Sequence, residues 1–162
     1  MLRQSLVGAR VRRLRSWVAI MNRIIMLNDD LESQMRMYLA LCPRYRIEIA
    51  ENEVSLMRLI RRKRPTLLML DANHSRLSFN GKSPGRLIEK IKQKYQSLHV
   101  LAIVKDGDEH FGHTLQERGA DGWVDHMIEG EDLLHQVDHV LSFAPQYQPE
   151  FEIEAEAEEA EA

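Results

Sequence analysis

Two places in the 162-residue chain put carboxylates at the end of an apolar run. Residues 65–71 read Pro-Thr-Leu-Leu-Met-Leu-Asp, so five apolar or β-branched residues lead without a break into Asp71. Residues 23–27 (Arg-Ile-Ile-Met-Leu) lead into Asn28, Asp29 and Asp30. Taken singly, each aspartate is explained by a turn or cap, because its short side chain bonds the backbone that follows it. Brought together, such carboxylates repel, and either one protonates or the cluster binds a cation. A site with few protein oxygens suits Mg²⁺. A carboxylate beside Mg²⁺ is also a competent phosphoryl acceptor, since the metal offsets charge on the incoming group.

Whether the two sites meet depends on the elements that carry them. Residues 65–71, flanked by Pro65 and a polar loop, have the continuous apolar character of a strand buried on both faces. Residues 23–27 have it too. Asp30 is a fair N-cap for a helix with Leu31, Met35, Tyr38, Leu39 and Cys42 at helical spacing, stopped by Pro43. Residues 45–50 alternate, as a half-covered edge strand does. Asn52 can cap a helix with Val54, Met57 and Ile60 as its stripe. That helix ends in Arg61-Arg62-Lys63-Arg64, four cations that complement the negative end of the helix dipole and read as a solvated face rather than a nucleic-acid patch. Residues 72–84 form a polar loop with Asn80-Gly81. Ser83-Pro84 then supplies a cap and a first-turn proline for a helix bearing Leu87, Ile88, Ile91 and Tyr95. Residues 99–104 are a further strand. Asp106-Gly107-Asp108 turns into a short helix with Phe111 and Leu115, closed by Gly119. Residues 122–124 are a brief last strand, and a final helix carries Leu133, Leu134, Val137, Val140 and Leu141 before Pro145.

Five alternations of strand and helix predict an α/β fold, a parallel sheet with helices on both faces. The flavodoxin-like (βα)5 doubly wound arrangement, strand order 2-1-3-4-5, fits five such units. Right-handed crossovers put every strand's carboxyl end on one edge. That edge gathers Asn28, Asp29 and Asp30, with Asp71 and Asn73, Val104 and His126, and it makes the first and third strands neighbours.

Size and charge set the boundaries. The chain divides into a basic leader (1–20, five arginines and no acid), a central domain (21–144) and an acidic tail (145–162) whose seven glutamates meet no base. The net charge of −3 conceals this polarity. The leader can form a basic amphipathic helix or remain unstructured, and Met21 is an alternative start. The tail has too little apolar surface to fold alone. No apolar run approaches the ~18 residues of a membrane span. The single cysteine, Cys42, allows no intramolecular disulfide, which fits a reducing cytoplasm.

Over residues 22–143 the chain resembles the response-regulator receiver domains (CheY-like) of two-component phosphorelay signalling. The resemblance rests on Ile24-Ile25-Met26-Leu27-Asn28-Asp29-Asp30, on Leu67-Leu68-Met69-Leu70-Asp71, and on Gly119-Ala120-Asp121-Gly122-Trp123-Val124. It implies that Asp71 is the phosphoacceptor, attacking a phosphohistidine on a partner histidine kinase. It implies that Asp29, Asp71, the Asn28 position and the backbone carbonyl of Asn73 hold Mg²⁺. Departures from the family pattern are specific. Asn28 replaces the first acid, which removes a charge from the metal site. Val104 stands where the family has Ser or Thr, and has no hydroxyl to bond a phosphoryl oxygen. His126-Met127 replaces the usual Lys-Pro, and His74-Ser75 replaces Met-Pro. Trp123 falls at the aromatic switch position. The resemblance thus implies an atypical receiver acting through protein contacts, without enzymatic output of its own. A phosphorylation-independent pseudo-receiver docking module is the alternative. Family members usually dock through the fourth helix, fifth strand and fifth helix. Monomer and homodimer are both open, and no nucleic acid is expected at the core domain.

Other chemistry is weaker. His110 with His113, and His135 with His139 (Glu131 one turn earlier), have spacing that can clasp Zn²⁺, but read more simply as surface histidines. Cobalamin-binding domains of the same fold class use Asp-x-His-x-x-Gly. Here Asp71-Ala72-Asn73-His74 puts the histidine one residue late, with no glycine in place. Walker, nucleophile-elbow and Gly-x-Gly-x-x-Gly patterns do not occur.

Overall fold

A computed structural model of the protein describes residues 23–74 and 83–143. The basic leader, the Asn80-Gly81 turn and the acidic tail lie outside the described residues. Five strands and five helices alternate: β1 (Arg23–Leu27), α1 (Leu31–Leu41), β2 (Arg46–Ile49), α2 (Glu53–Lys63), β3 (Leu67–Asp71), α3 (Pro84–Lys94), β4 (His99–Val104), α4 (Glu109–Glu117), β5 (Gly122–Asp125) and α5 (Gly130–Ser142). All strand pairs are parallel, in the order β2-β1-β3-β4-β5. This is the flavodoxin-like fold expected from the alternation.

The period of two along each strand divides the core. Ile25, Leu27, Leu68, Leu70, Val100, Ala102 and Val104 face α2, α3 and α4, where Leu56, Ile60, Leu87, Ile88, Ile91 and Leu115 meet them. Ile24, Met26, Leu67, Met69, Leu101 and Ile103 face α1 and α5, against Met37, Leu41, Leu133, Val137 and Val140. Burying each such side chain contributes about 1.5–3 kcal/mol. A strand apolar on both faces is therefore strongly held in register, and its polar residues are pushed to its ends.

Two helices present a face other than the expected one. In α1 the buried residues are Ser33, Met37 and Leu41, whereas Leu31 (67% exposed), Met35 (57%) and Leu39 (65%) point outward, with Tyr38 and Cys42 also exposed. The cause is Ser33. Its hydroxyl donates to the His126 carbonyl at 2.9 Å, so a polar residue sits satisfied within the core stripe. In α2 the buried stripe is Leu56 and Ile60, with Met57 and Leu59 partly covered, while Val54 is exposed. Caps follow the expectation. Asp30 accepts from the N–H groups of Glu32 and Ser33, Asn52 from that of Ser55, and Ser83 from that of Arg86, with Pro84 in the first turn.

Two polar clusters fasten the helices. At the amino-terminal edge, the Lys92 ammonium donates to Asp121 Oδ2 at 2.8 Å and to the Leu98 carbonyl at 2.9 Å, and the Val100 N–H donates to the same Asp121 oxygen at 2.8 Å. Both side chains are buried, at 1% and 5% exposure. On the opposite face, Arg44 pairs with Asp138 at 2.7 Å, and the buried Tyr45 hydroxyl donates to the same carboxylate.

Removing one member of a buried ion pair strands the other. Asp121→Ala is therefore expected to lose about 3–5 kcal/mol in urea unfolding, while Glu89→Ala, which breaks the exposed Arg118–Glu89 pair, loses less than ~1 kcal/mol. Equal losses would contradict the assignment. Burial, then the hydrogen bond and charge of Asp138, push the Tyr45 hydroxyl well above its ordinary range. The folded state thus keeps a proton that the unfolded state gives up near pH ~10. The contribution of Tyr45 is complete below that pH and is lost as pH rises above it through the higher folded-state value. Tyr45→Phe is expected to flatten the alkaline fall of the urea midpoint; an unchanged slope would refute the coupling.

Candidate functional site: an acidic pocket at the carboxyl edge of the sheet

β1 and β3 run side by side with Leu27 level with Leu70, so Asn28, Asp29 and Asp71 emerge together. Asp71 is 1% exposed. Its two carboxylate oxygens accept different backbone donors: Oδ2 from the Asp29 N–H at 3.2 Å, and Oδ1 from the Asn73 N–H at 2.9 Å. The Asp29 side chain is half-exposed, and its Oδ1 lies 3.8 Å from Nε2 of the buried His74. His74 donates its own N–H to the Asp71 carbonyl, which folds the start of the β3–α3 loop back over the pocket. Asn73 is exposed.

Asn28 is turned into the fold. Its amide nitrogen donates to Ser33 Oγ at 3.0 Å and lies 3.9 Å from the Met37 sulfur, and its oxygen accepts the Asp30 N–H at 3.1 Å. Through Ser33 this chain reaches the His126 carbonyl, to which Arg36 also donates at 3.3 Å. One side of the pocket is thereby wired from β1 across to the end of β5.

The other side holds the substituted positions. Val104 is fully buried in the core that also contains Ala72. His126 is mostly buried, with Nδ1 3.4 Å from Asp125 Oδ1 but in no hydrogen bond, and its N–H donates to the Val104 carbonyl at 2.8 Å. The β4–α4 turn runs through two residues of positive φ, Asp106 (57°) and Gly107 (62°). Asp125 holds that turn, accepting from the Gly107 N–H at 2.6 Å and from the Met127 N–H at 2.8 Å.

Trp123 is half-buried against the α2–α3–α4 side of the core. It lies over Gly112 of α4: a Cβ there would come within 2.6 Å of the indole Cγ and Cε2. His113 meets the same ring edge-on, at 5.9 Å between centroids. The histidine pairs do not build a metal centre, since no three His, Cys, Asp or Glu side chains converge on a common point among the described residues.

Sequence reasoning placed Asp29, Asp71, Val104, Trp123 and His126 on this edge or on the strands leading to it. It missed Ser33, Asp125 and Gly112. Ser33 and Asp125 look like ordinary helix and strand-end polar residues. The signal for Gly112 was a glycine inside a helix, which costs about 1 kcal/mol against alanine and calls for a packing reason.

The fold and its edge define a class: a flavodoxin-like α/β domain with an acidic pocket where β1 and β3 meet. No protein-family model and no curated protein matches the sequence. Solved structures do match the fold. A response regulator from Thermotoga maritima is 18% identical with a TM-score of 0.66, covering 76% of this chain and 99% of that one. The receiver domain of NtrX from Brucella abortus is 18% identical with a TM-score of 0.65, covering 75% and 99%. A CheY-like response regulator receiver domain protein from Methanospirillum hungatei is 18% identical with a TM-score of 0.64, covering 85% and 98%. The chain thus has the receiver-domain fold over nearly the full length of these domains.

A side chain at position 112 must displace the Trp123 ring, because the clash is with an aromatic system and not a flexible tip. Gly112→Ala is expected to destabilise by about 1–3 kcal/mol, the cost of overpacking, and to shift the tryptophan emission to longer wavelength. A neutral or stabilising change with unaltered emission would disprove the close packing.

Proposed function

We propose that this chain is an atypical receiver module in two-component signalling. It acts through protein contacts, with Asp71 at the phosphoacceptor position and phosphoryl transfer to it weak. The observation that carries this reading is the burial of Asp71 between the backbones of Asp29 and Asn73 on the edge where β1 and β3 meet. In the reaction, an Asp71 oxygen would attack phosphorus while the bond to a phosphohistidine nitrogen on the kinase breaks, leaving neutral histidine once a proton is taken up.

The donor set fits a weak Mg²⁺ site: Asp29, Asp71 and the Asn73 carbonyl would be ligands, with water supplying the rest. Mg²⁺ would supply charge neutralisation for the incoming group. The oxygen of Asn28 is already engaged by the Asp30 N–H, and the His74 ring occupies space beside Asp29. Both features weaken the site. Val104 brings no hydroxyl, and His126 is shorter than the family's lysine.

A second reading, a phosphorylation-independent docking module, is favoured by Asp125. Its bond to Gly107 holds the β4–α4 turn without help from a phosphoryl group. In both readings the output is a protein contact. The outward apolar residues of α1 (Leu31, Met35 and Leu39), with Met127 nearby across Arg36, offer a helix-sized face beside the pocket for a kinase or other signalling partner. No described helix is long and apolar enough to cross a membrane, and we assign the module to the cytoplasm.

Incubation with acetyl phosphate and Mg²⁺, followed by intact mass measurement, separates the readings. The atypical receiver is expected to gain one phosphoryl group in a minority of molecules, the gain disappearing in Asp71→Asn and growing in Val104→Thr. Stoichiometric labelling of the wild type would overturn the weak-transfer assignment. Absence of labelling in both the wild type and Val104→Thr would select the docking module.

A further inference from the structure

A shallow groove of about 410 Å³ lies on the opposite side of the sheet from α1, between α2 and the end of α3. Glu53, Val54, Met57, Arg58, Arg61, Lys94 and Tyr95 line it. Three cations face one carboxylate there, and the Lys94 ammonium stands 5.6 Å from the Tyr95 ring centroid. Arg62, Lys63 and Arg64 extend the positive surface to the amino-terminal edge of the sheet. The apolar floor is small and specific: Met57 and Tyr95 are half-buried, and Val54 is 69% exposed on the rim.

The described chain ends at the amino-terminal edge of the sheet. The Phe143 carbonyl is 2.7 Å from His99 Nε2, and His99 is bonded through its N–H to the Thr66 carbonyl at 3.0 Å. Thr66 follows Arg64 by two residues. The segment after Phe143 thus departs from the same edge at which the basic run of α2 arrives. Its sequence, Glu150-Phe151-Glu152-Ile153-Glu154 followed by four more glutamates among alanines, alternates acid with apolar residues and holds no base.

We propose that the acidic C-terminal segment of this chain docks intramolecularly in the α2–α3 groove, its glutamates on Arg58, Arg61 and Lys94 and its Phe151 and Ile153 on Val54, Met57 and Tyr95. The eight residues from Phe143 to Phe151 span up to about 26 Å when extended, longer than the roughly 16 Å of the eleven-residue α2. Charge is complementary, and arginine clusters are a standard receptor for acidic segments. Too apolar-poor to fold alone, the segment gains its order from the contact. Docked, it neutralises the basic face of α2 and screens it from other polyanions. This contact does not depend on phosphoryl chemistry at Asp71.

The test uses the full chain, ¹⁵N-labelled, against a variant with Glu150, Glu152 and Glu154 changed to Gln. Amide shift differences outside the segment itself are expected to concentrate at residues 53–61 and 94–95. They should collapse at ~1 M salt, where screening shortens to ~3 Å, and Arg58→Glu with Arg61→Glu should reproduce them at 94–95. Differences centred on residues 1–20 would overturn the groove assignment, as would an absence of differences in the groove. Shifts that depend on protein concentration would place the segment on a second copy and refute the intramolecular contact. Equal retention of both chains on a single-stranded oligonucleotide would refute the screening role. Arg58 and Arg61 are exposed, so their substitution leaves the core intact.

Discussion

A buried carboxylate at the end of β3 constrains this molecule more than any other group. Taking a charge out of water costs several kcal/mol unless hydrogen bonds replace the lost hydration. Asp71 meets that demand with two backbone N–H groups, one from each neighbouring loop. Those bonds require Asp29 to turn sharply after β1 and Asn73 to turn sharply after β3. They also require β1 and β3 to be adjacent, which in a parallel sheet is possible only with the intervening β2 placed outside them. The strand order and the pocket are in this sense one feature. An apolar core on both sheet faces leaves the carboxyl edge as the place where such a group can be satisfied.

Beside that group two polar links reach β5, and neither involves the side chain of Val104 or a hydrogen bond from Nδ1 of His126. One passes from Asn28 through Ser33 to the His126 carbonyl. The other passes from the β4–α4 turn to Asp125. Val104 belongs to the core, and His126 contributes its backbone more than its ring. The edge is thus braced by permanent bonds at the positions where a phosphoryl-dependent contact is otherwise made and broken. Bracing of this kind fixes the shape of the edge without any bound group.

The strands were legible because a parallel strand buried on both faces has an unmistakable composition, as 67–71 and 99–104 have. Helix ends were legible through Asp30, Asn52 and Ser83, whose caps are local. The face of α1 was not. Apolar spacing nominated Leu31, Met35 and Leu39, and the core took Ser33, Met37 and Leu41 instead, because a hydroxyl with a buried partner behaves as a core residue. The partner is more than 90 residues distant in sequence, so no window of the chain contains it. Asp125 meets Gly107 from 18 residues away, and Trp123 covers Gly112 from the next strand, contacts that follow from the packing of α4 on β5 and not from apolar spacing. Chemistry carried by residue type was readable; satisfaction of a polar group by a remote backbone was not.

The sheet separates two surfaces of opposite character. On one side, α1 exposes an apolar stripe that suits a helical partner. On the other, α2 exposes cations that suit an acidic segment. An occupant of one does not touch the other, so each can be filled independently, and any coupling between them must cross the sheet. One covalent and hydrogen-bonded route runs from α1 through Asp29 and Asn28 into β1, and from Met26 through the Ala50 N–H toward Asn52 and α2, with Asp71 bonded beside it at Asp29. The Asp29 N–H accepted by one Asp71 oxygen lies two residues before α1, so the burial of that carboxylate and the start of α1 share a bond, whereas the Asn73 N–H ties the other oxygen to the loop after β3.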